Sequence, residues 1–363
     1  MSSTTGVLFR VTTFGESHGV GLGAILDGCP PGVALDLEAL QADCDRRRPG
    51  QSRLTTPRKE RDQIEVLSGV FEGVTTGTPL MLLFRNEDAR SRNYDSVKDL
   101  YRPGHADFTY EARYGIRDYR GGGRASARET AARVAVAGVA RQWLAQRYGV
   151  EVVAWVQTVR DHVASVDPDV VDRAAVDTSE VRCPDASAAA AMIAEIEAAK
   201  RDGDTVGGVV GCVARSVPAG WGAPVFDKLD GELAKACLSL PACKGFEIGS
   251  GFGGTSRRGS EHNDSFFHDG ARVRTRTNRA GGTLGGISTG EPLEIRCAFK
   301  PVSTHFKPQE TVNRDGEAVT FSNEGRHDPC VLPRAVPLVE AAMLLTLADH
   351  ALRTEAIHGG RVP

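Results

Sequence analysis

The sequence predicts one intertwined domain built from both strands and helices, and three observations carry that expectation. Residues 7–14 (VLFRVTTF) and 64–71 (IEVLSGVF) have the alternation of half-buried strands, so the amino-terminal third is β-rich. Residues 127–148 form a long helical stretch with clear start and stop signals. No Pro/Gly/Ser-rich linker, internal repeat or low-complexity tract divides the 363 residues, and 40% hydrophobic content can bury a sizeable core.

Taken in chain order, residues 20–27 (VGLGAILD) read as a further strand, and 79–84 (PLMLLF) is an apolar run of strand length. Between these strands Asp36 can cap a short helix through Leu37, Leu40 and Cys44 that must end near Pro49-Gly50. Arg46, Arg47 and Arg48 then sit at its last turn and the start of a loop. Before the long helix, Ser126 followed by Glu129 makes a capping box, and Gly149 supplies the stop. The many alanines of that helix imply close packing on several sides. A strand over 150–159, a polar Asp-rich stretch to Asp185, an Ala-rich helix to about Lys200 and a strand around 206–217 follow. Phe226, Leu229, Leu233, Ala236 and Leu240 mark an amphipathic helix. Residues 245–290, dense in Gly, Arg, Ser, Thr and Asn, read as loop, and long loops in compact enzymes are usually functional. Leu293, Ile295, Cys297 and Phe299 alternate as a strand, and 336–352 is a largely apolar terminal helix.

Composition narrows the function classes. Net charge is −3, yet the 44 basic residues comprise 36 Arg and 8 Lys. Arginine's planar fork suits carboxylate and phosphate, although coding bias in a chain rich in Ala and Gly produces the same ratio, so position has to decide which arginines matter. The eight cysteines show no C-x-x-C pair and read as reduced, mostly buried thiols. No stretch approaches the ~18 consecutive apolar residues of a membrane span, and residues 1–6 lack a basic region followed by an apolar one. A cytoplasmic protein without membrane partners is expected.

Several motifs could carry chemistry. Gly15-Glu16-Ser17-His18-Gly19 fits the nucleophile elbow G-x-S-x-G, but an elbow must open a helix and a strand follows here. What survives is a polar turn that presents Ser17 and His18 to an anion or supplies a proton near neutral pH. Gly249-x-Gly251-x-x-Gly254 matches a dinucleotide fingerprint, but the polar residues 255–264 cannot form the apolar helix it needs. Gly121-Gly122-Gly123-Arg124-Ala125-Ser126 runs directly into the long helix, whose free backbone amides and dipole attract phosphate or a polarised ring oxygen; an ordinary loop and cap is the alternative. Arg46, Arg47, Arg48, Arg53, Arg58, Lys59 and Arg61 place seven positive charges in sixteen residues. Residues 1–130 hold eighteen basic and eighteen acidic side chains, so a compact polyanion fits better than nucleic acid. His105, and the Arg326-His327-Asp328-Pro329-Cys330 turn, gather titratable groups without zinc spacing. A lone histidine is more often structural than catalytic.

Taken together, GESHG (15–19), DRRRPG (45–50), RPGHAD (102–107), GGGRASARETAARV (121–134), AGGTLGGIS (280–288), KPVST (300–304) and GRHDPC (325–330) resemble the chorismate synthase family in order and spacing from end to end. The resemblance implies an α+β fold, a β-α-β sandwich formed as a single domain over residues 1–363, and a homotetramer. It implies a 1,4-elimination of phosphate from 5-enolpyruvylshikimate-3-phosphate, giving chorismate, the last step of the shikimate pathway toward aromatic amino acids. The reaction requires reduced FMN without net redox change, and NADPH enters only indirectly as reductant. By motif position, His18 protonates the departing phosphate, His105 faces the anionic reduced flavin, and Asp328 assists removal of the ring proton, with Ser17 and Ser126 in support. Arg47, Arg53, Arg133 and Arg326 match substrate-binding arginines. Flavin contacts fall on Arg124, Ala125, Ser126, Pro241, Ala242, Gly285, Lys300, Pro301, Val302, Ser303, Thr304 and Arg326. Arg279 and His305 depart from the common pattern, which loosens ligand assignments near them. Some fungal relatives carry their own flavin reductase; nothing in this chain's compact length argues for one, so an external flavin reductase is the expected electron source. The competing classes are a serine hydrolase built on Ser17 and an RNA-binding protein built on residues 46–61.

Overall fold

The computed structural model describes residues 3–56, 60–87, 97–323 and 327–359. Two five-stranded antiparallel sheets enclose a layer of helices. The first sheet runs Thr4–Thr5, Arg10–Gly15, Gly21–Asp27, Leu80–Arg85, Glu65–Ser68 in spatial order. The second runs Cys243–Ile248, Leu293–Phe299, Gly208–Arg215, Glu151–Val159, His162–Val163. Helix Thr130–Tyr148 packs on Gly21–Asp27 and Leu80–Arg85 of the first sheet, and helix Leu332–Ile357 packs on Glu151–Val159 and Gly208–Arg215 of the second. The two helices pack on each other, with Leu37–Arg47 against both. This is the expected β-α-β sandwich of the α+β class.

The helix layer follows from the residues. Asp36 accepts from the backbone N–H of Glu38 and Ala39, as expected of an N-cap, and Asp185 accepts likewise from Ser187 and Ala188 at the start of the Ala-rich helix. Gly149 closes Thr130–Tyr148 in the left-handed region at φ +71°. The central helix is buried along most of its length because its alanines admit neighbours closely; a Cβ on Gly138 would lie 2.5 Å from Leu40 Cδ1 of the crossing helix. Helix Leu332–Ile357 is long and apolar enough to cross a membrane, but 94% of its apolar window is buried inside the molecule, as in a core helix. All eight cysteines are free and buried.

Several elements differ from expectation for local reasons. The strand expected from residue 7 starts at Arg10, because the N–H groups of Val7, Leu8 and Phe9 all turn onto Asp349 Oδ1, at 2.8, 2.7 and 2.9 Å. The run 64–71 is broken at Gly69 (φ +84°) into Glu65–Ser68 and a separate Val70–Phe71 pairing. Phe226 lies outside helix Leu229–Leu238 and is 95% exposed. Residues 245–290 are not one loop: Cys243–Ile248 forms an edge strand, and two short hairpins and the turn of helix Gly259–His262 follow. The capping box also fails. Ser126 Oγ accepts from Arg128 N at 3.3 Å, but Glu129 turns to Arg133 at 2.5 Å, and the helix is entered through two 3₁₀ turns.

Candidate active site

Strand Arg10–Gly15 ends where Gly15 takes φ +86°, and a Cβ there would lie 2.2 Å from Gly21 O. The turn that follows buries Ser17 to 2% exposure and sets its Oγ 3.2 Å from His18 Nδ1. Strand Gly21–Asp27 comes next, so Ser17 is not on an elbow that opens a helix. Gly121 packs on the imidazole so closely that a Cβ would fall 2.2 Å from both His18 Nδ1 and Cε1, at φ +67°. That glycine is therefore required for His18 to meet the start of the central helix. Arg124 ties the two motifs together by donating to Gly15 O (3.1 Å), Thr13 O (3.2 Å) and Thr13 Oγ1 (2.6 Å). Asn86, unremarked in the sequence, donates to Glu16 O and Gly19 O and accepts from Arg128 Nε at 3.1 Å.

His105 lies in the loop before helix Asp107–Tyr114, with Nδ1 3.0 Å from Pro103 O and Nε2 3.0 Å from Thr304 Oγ1. Burial, and after it the charge of Arg102, lowers its pKa, which favours the neutral ring. Lys300 Nζ donates to Gly104 O (3.1 Å) and Ser303 Oγ (2.7 Å), and Ser303 Oγ donates to Gly104 O (2.8 Å). A Cβ on Gly104 would lie 2.6 Å from Ser303 Oγ, so this glycine lets RPGHAD and KPVST interlock. Lys300 N donates to Ala242 O, which brings the Pro241-Ala242 turn alongside, while Thr205 Oγ1 donates to Val302 O. Burial, with Lys244 beside it, lowers the Lys300 ammonium pKa.

A third group assembles around Asp328. Its Oδ1 accepts from Thr56 N at 2.8 Å and its Oδ2 from Arg334 Nη1, while Arg334 Nε donates to Arg47 O at 3.1 Å. Arg47, 2% exposed, reaches Asp62 Oδ2 (2.9 Å), Ala127 O (3.0 Å) and Thr130 Oγ1 (3.3 Å). Arg128 pairs with the other oxygen of Asp62. Burial pushes the Arg47 guanidinium down to about 10; Asp62 opposes this, and Arg334 and Arg128 add to it. Arg128 lies within the 121–134 motif without having been singled out, Asp62 follows the basic stretch 46–61, and Arg334 stands alone in an apolar run with no signal of its own.

Residues 121–130 join the first group to the third: Gly121 touches His18, Arg124 holds the first turn, and Ala127 and Thr130 receive Arg47. Arg133 donates to Ser239 Oγ at 2.7 Å, close in sequence to Pro241-Ala242. Arg124 and Arg133 both line a cavity of about 320 Å³, whose other walls include Phe9, Leu240 and Asp349. His18, His105 and Asp328 are not among its lining residues, so the cavity borders the constellation rather than containing it. Arg53 stands outside, paired with Glu180 (3.0 Å) and Glu197 (3.1 Å). Gly285 sits at the turn of the Thr283–Leu284/Ile287–Ser288 hairpin at φ +62°, with nothing within 4 Å of where a Cβ would be. Arg326, Arg58 and Lys59 lie outside the described residues.

The arrangement brings hydroxyls, guanidiniums and imidazoles together, with the Asp328 carboxylate held by Arg334 within the cationic group. The family model for chorismate synthase matches residues 9–352. Chorismate synthase of Synechococcus sp. (strain WH7803) is 59% identical over 98% of both chains. That of Synechocystis sp. (strain ATCC 27184 / PCC 6803 / Kazusa) is 57% identical over 98% of this chain and 99% of the relative. A solved structure described as "Crystal Structure of Chorismate Synthase" superposes with a TM-score of 0.73 at 29% identity, covering 96% of this chain and 93% of the other. The chain belongs to the chorismate synthase family, carbon–oxygen lyases that convert 5-enolpyruvylshikimate-3-phosphate to chorismate and phosphate at the end of the shikimate pathway.

Proposed function

We propose that this chain performs the family's elimination with reduced FMN bound along the Lys300–Thr304 turn and the Arg124–Ser126 helix start. The single observation that carries the reading is the full-length identity of 59% with a chorismate synthase. The donor chemistry fits a flavin phosphate and ring carbonyls: Lys300 and Arg124 are cations, Ser126, Ser303 and Thr304 supply hydroxyls, and the open surroundings of Gly285 admit close approach. Pro241, Ala242, Pro301 and Val302 would complete that wall. The bound flavin supplies electron density to the substrate ring and is not consumed.

In the elimination a ring C–H bond and the C–O bond to phosphate break, a C=C bond forms, and a proton and phosphate leave. His18 delivers a proton to the departing phosphate, and the 3.2 Å contact with Ser17 Oγ supports an oriented ring. Asp328 helps take up the ring proton. The neutral state favoured for His105 leaves it able to gain a proton when an anionic ring arrives beside it. Arg53, Arg133 and Arg326 meet the substrate's phosphate and carboxylates. Arg47, already committed to Asp62, adds its positive field from behind.

The same reading makes residues 1–363 a single domain of a cytoplasmic homotetramer, fed by an external flavin reductase with NADPH as the indirect reductant. The test is an anaerobic assay for chorismate absorbance: turnover is expected with reduced FMN and substrate and absent with oxidised FMN alone. Equal turnover without reductant overturns the flavin role. A trappable covalent Ser17 adduct would restore the hydrolase.

A further inference from the structure

The terminal helix contributes a cation that the family motifs did not single out. Arg334 lies in the first turn of Leu332–Ile357, beside Pro333, and its side chain is 12% exposed. Its Nη1 donates to Asp328 Oδ2, and its Nε donates 3.1 Å to the carbonyl of Arg47. The other oxygen of Asp328 accepts from Thr56 N at 2.8 Å. The polar loop that leaves helix Leu37–Arg47 is thereby gripped at both ends, at Arg47 O and at Thr56 N. One guanidinium and one carboxylate make the grip.

We propose that Arg334 is the positioning residue of Asp328 for the elimination, holding the carboxylate in one orientation against the arginine-bearing loop. The inference rests on the role given above to Asp328. A guanidinium fork that spends one arm on a carboxylate and another on a backbone carbonyl fixes both, because its donors are coplanar and rigid. Asp328 cannot rotate about its side-chain torsion without losing two hydrogen bonds, to Arg334 and to Thr56 N. Its remaining lone pairs therefore keep one direction in which to take up a proton. Misplacement of a reacting group by about 1 Å is enough to cost on the order of 10²-fold in rate. Lysine could replace the charge but not both arms.

The test is a cycle of Arg334→Ala, Asp328→Asn and the double variant in the full-length enzyme, with single-turnover rates, flavin and substrate dissociation constants, and thermal midpoints. Arg334→Ala is expected to lower kcat by about 10²-fold with dissociation constants within about threefold of the unaltered enzyme. The double variant is expected to be no slower than Asp328→Asn alone, since Arg334 acts through that carboxylate. Guanidinium ion, and not an equal concentration of sodium chloride, should restore part of the Arg334→Ala rate. If Arg334→Ala does not fold, Arg334→Lys and Arg334→Gln carry the same comparison. Impaired Asp328→Asn beside full turnover in the Arg334 variants, or multiplying losses in the double variant, overturns the role of Arg334 alone. Full turnover of Asp328→Asn overturns the assignment of Asp328 and, with it, this one.

Discussion

Two buried arginine–carboxylate clusters sit on either side of the helix Leu37–Arg47 terminus, and neighbouring residues feed opposite electrostatics. Arg46 meets Glu340 through two bonds of 2.7 and 3.3 Å and also reaches Asp177 at 2.9 Å. Arg141 joins the same Glu340 at 2.7 Å and has Asp43 at 3.3 Å. Arg46 and Arg141 each have two carboxylates, whereas Arg182 in the same cluster has Asp177 at 3.5 Å and burial pushes its guanidinium down to about 10. Burial would lower the Arg46 pKa, but Glu340 reverses it and holds the guanidinium above its usual value. Arg47, among the described residues, has only Asp62 and shares it with Arg128, and its pKa falls to about 10. Arg46 itself is saturated with carboxylate, and its cluster is structural. On the other side Asp62 is divided between Arg47 and Arg128, while Glu60 and Asp328 lie against Arg128 and Arg334, so Arg47 is the guanidinium short of negative charge, a condition that an anionic substrate would relieve.

The largest effect that could break this contrast is Glu340→Ala. It leaves Arg46 and Arg141 buried without their shared partner, and a loss of about 3–5 kcal/mol in unfolding free energy is expected. A loss under about 1 kcal/mol in a denaturant titration would show that the Glu340 cluster is not structural.

Acid titration sharpens the same point. Burial opposes ionisation of Glu340, yet Arg46, Arg141 and Arg173 bring its carboxyl down from 4.5 to about 2. A depressed carboxylate contributes stability that is present above its unfolded pKa and lost as pH falls through the folded one. The window is therefore from about pH 4.5 down to about 2, with on the order of 3 kcal/mol at stake. Unfolding free energy followed against pH should lose that slope in Glu340→Gln.

Asp62→Asn comes next, at about 2 kcal/mol, because the amide oxygen keeps one hydrogen bond while Arg47 and Arg128 lose their counter-charge. Inorganic phosphate should then raise the thermal midpoint by about twice as much as in the unaltered enzyme. No added phosphate response would mean that the cationic group is closed to anions.

The smallest effect is Arg53→Ala. Its ion pairs are exposed, at 63% for the arginine side chain, so stability should change by no more than about 0.5 kcal/mol. Substrate KM should still rise. An unchanged KM would remove Arg53 from the substrate set.

What was legible in the sequence was local. Asp36 and Gly149 act within one turn of their own positions, so their caps could be read without knowing the fold, and the Asp185 cap is of the same local kind although it was not singled out. The sandwich came from family resemblance, since alternation alone does not say which strands pair. Cys243–Ile248 escaped because Lys244 and Gly245 interrupt its apolar pattern at a sheet edge, where one partner strand suffices. Ser17, His18 and His105 could be picked out from polar turns beside glycines. Arg334 could not: its contact with Arg47 joins residues 287 positions apart, and no periodicity encodes such a pairing. The close approach of Gly121 to His18 was equally hidden, because a glycine's value there depends on a ring delivered by another strand.

The clasp of Asp349 on the backbone of Val7, Leu8 and Phe9 has a consequence for synthesis in the cell. Phe9 and Asp349 are 340 residues apart, so the ribosome must deliver nearly the whole polypeptide before the clasp can close. At about 5–20 residues per second, the nascent amino terminus waits roughly 20–70 s for its carboxylate. During that interval Val11 can already pair with Leu26 and Phe9 can stack on Trp143, but the terminal helix that completes their shared core is missing, which leaves this apolar stretch a natural substrate for chaperones that hold emerging chains.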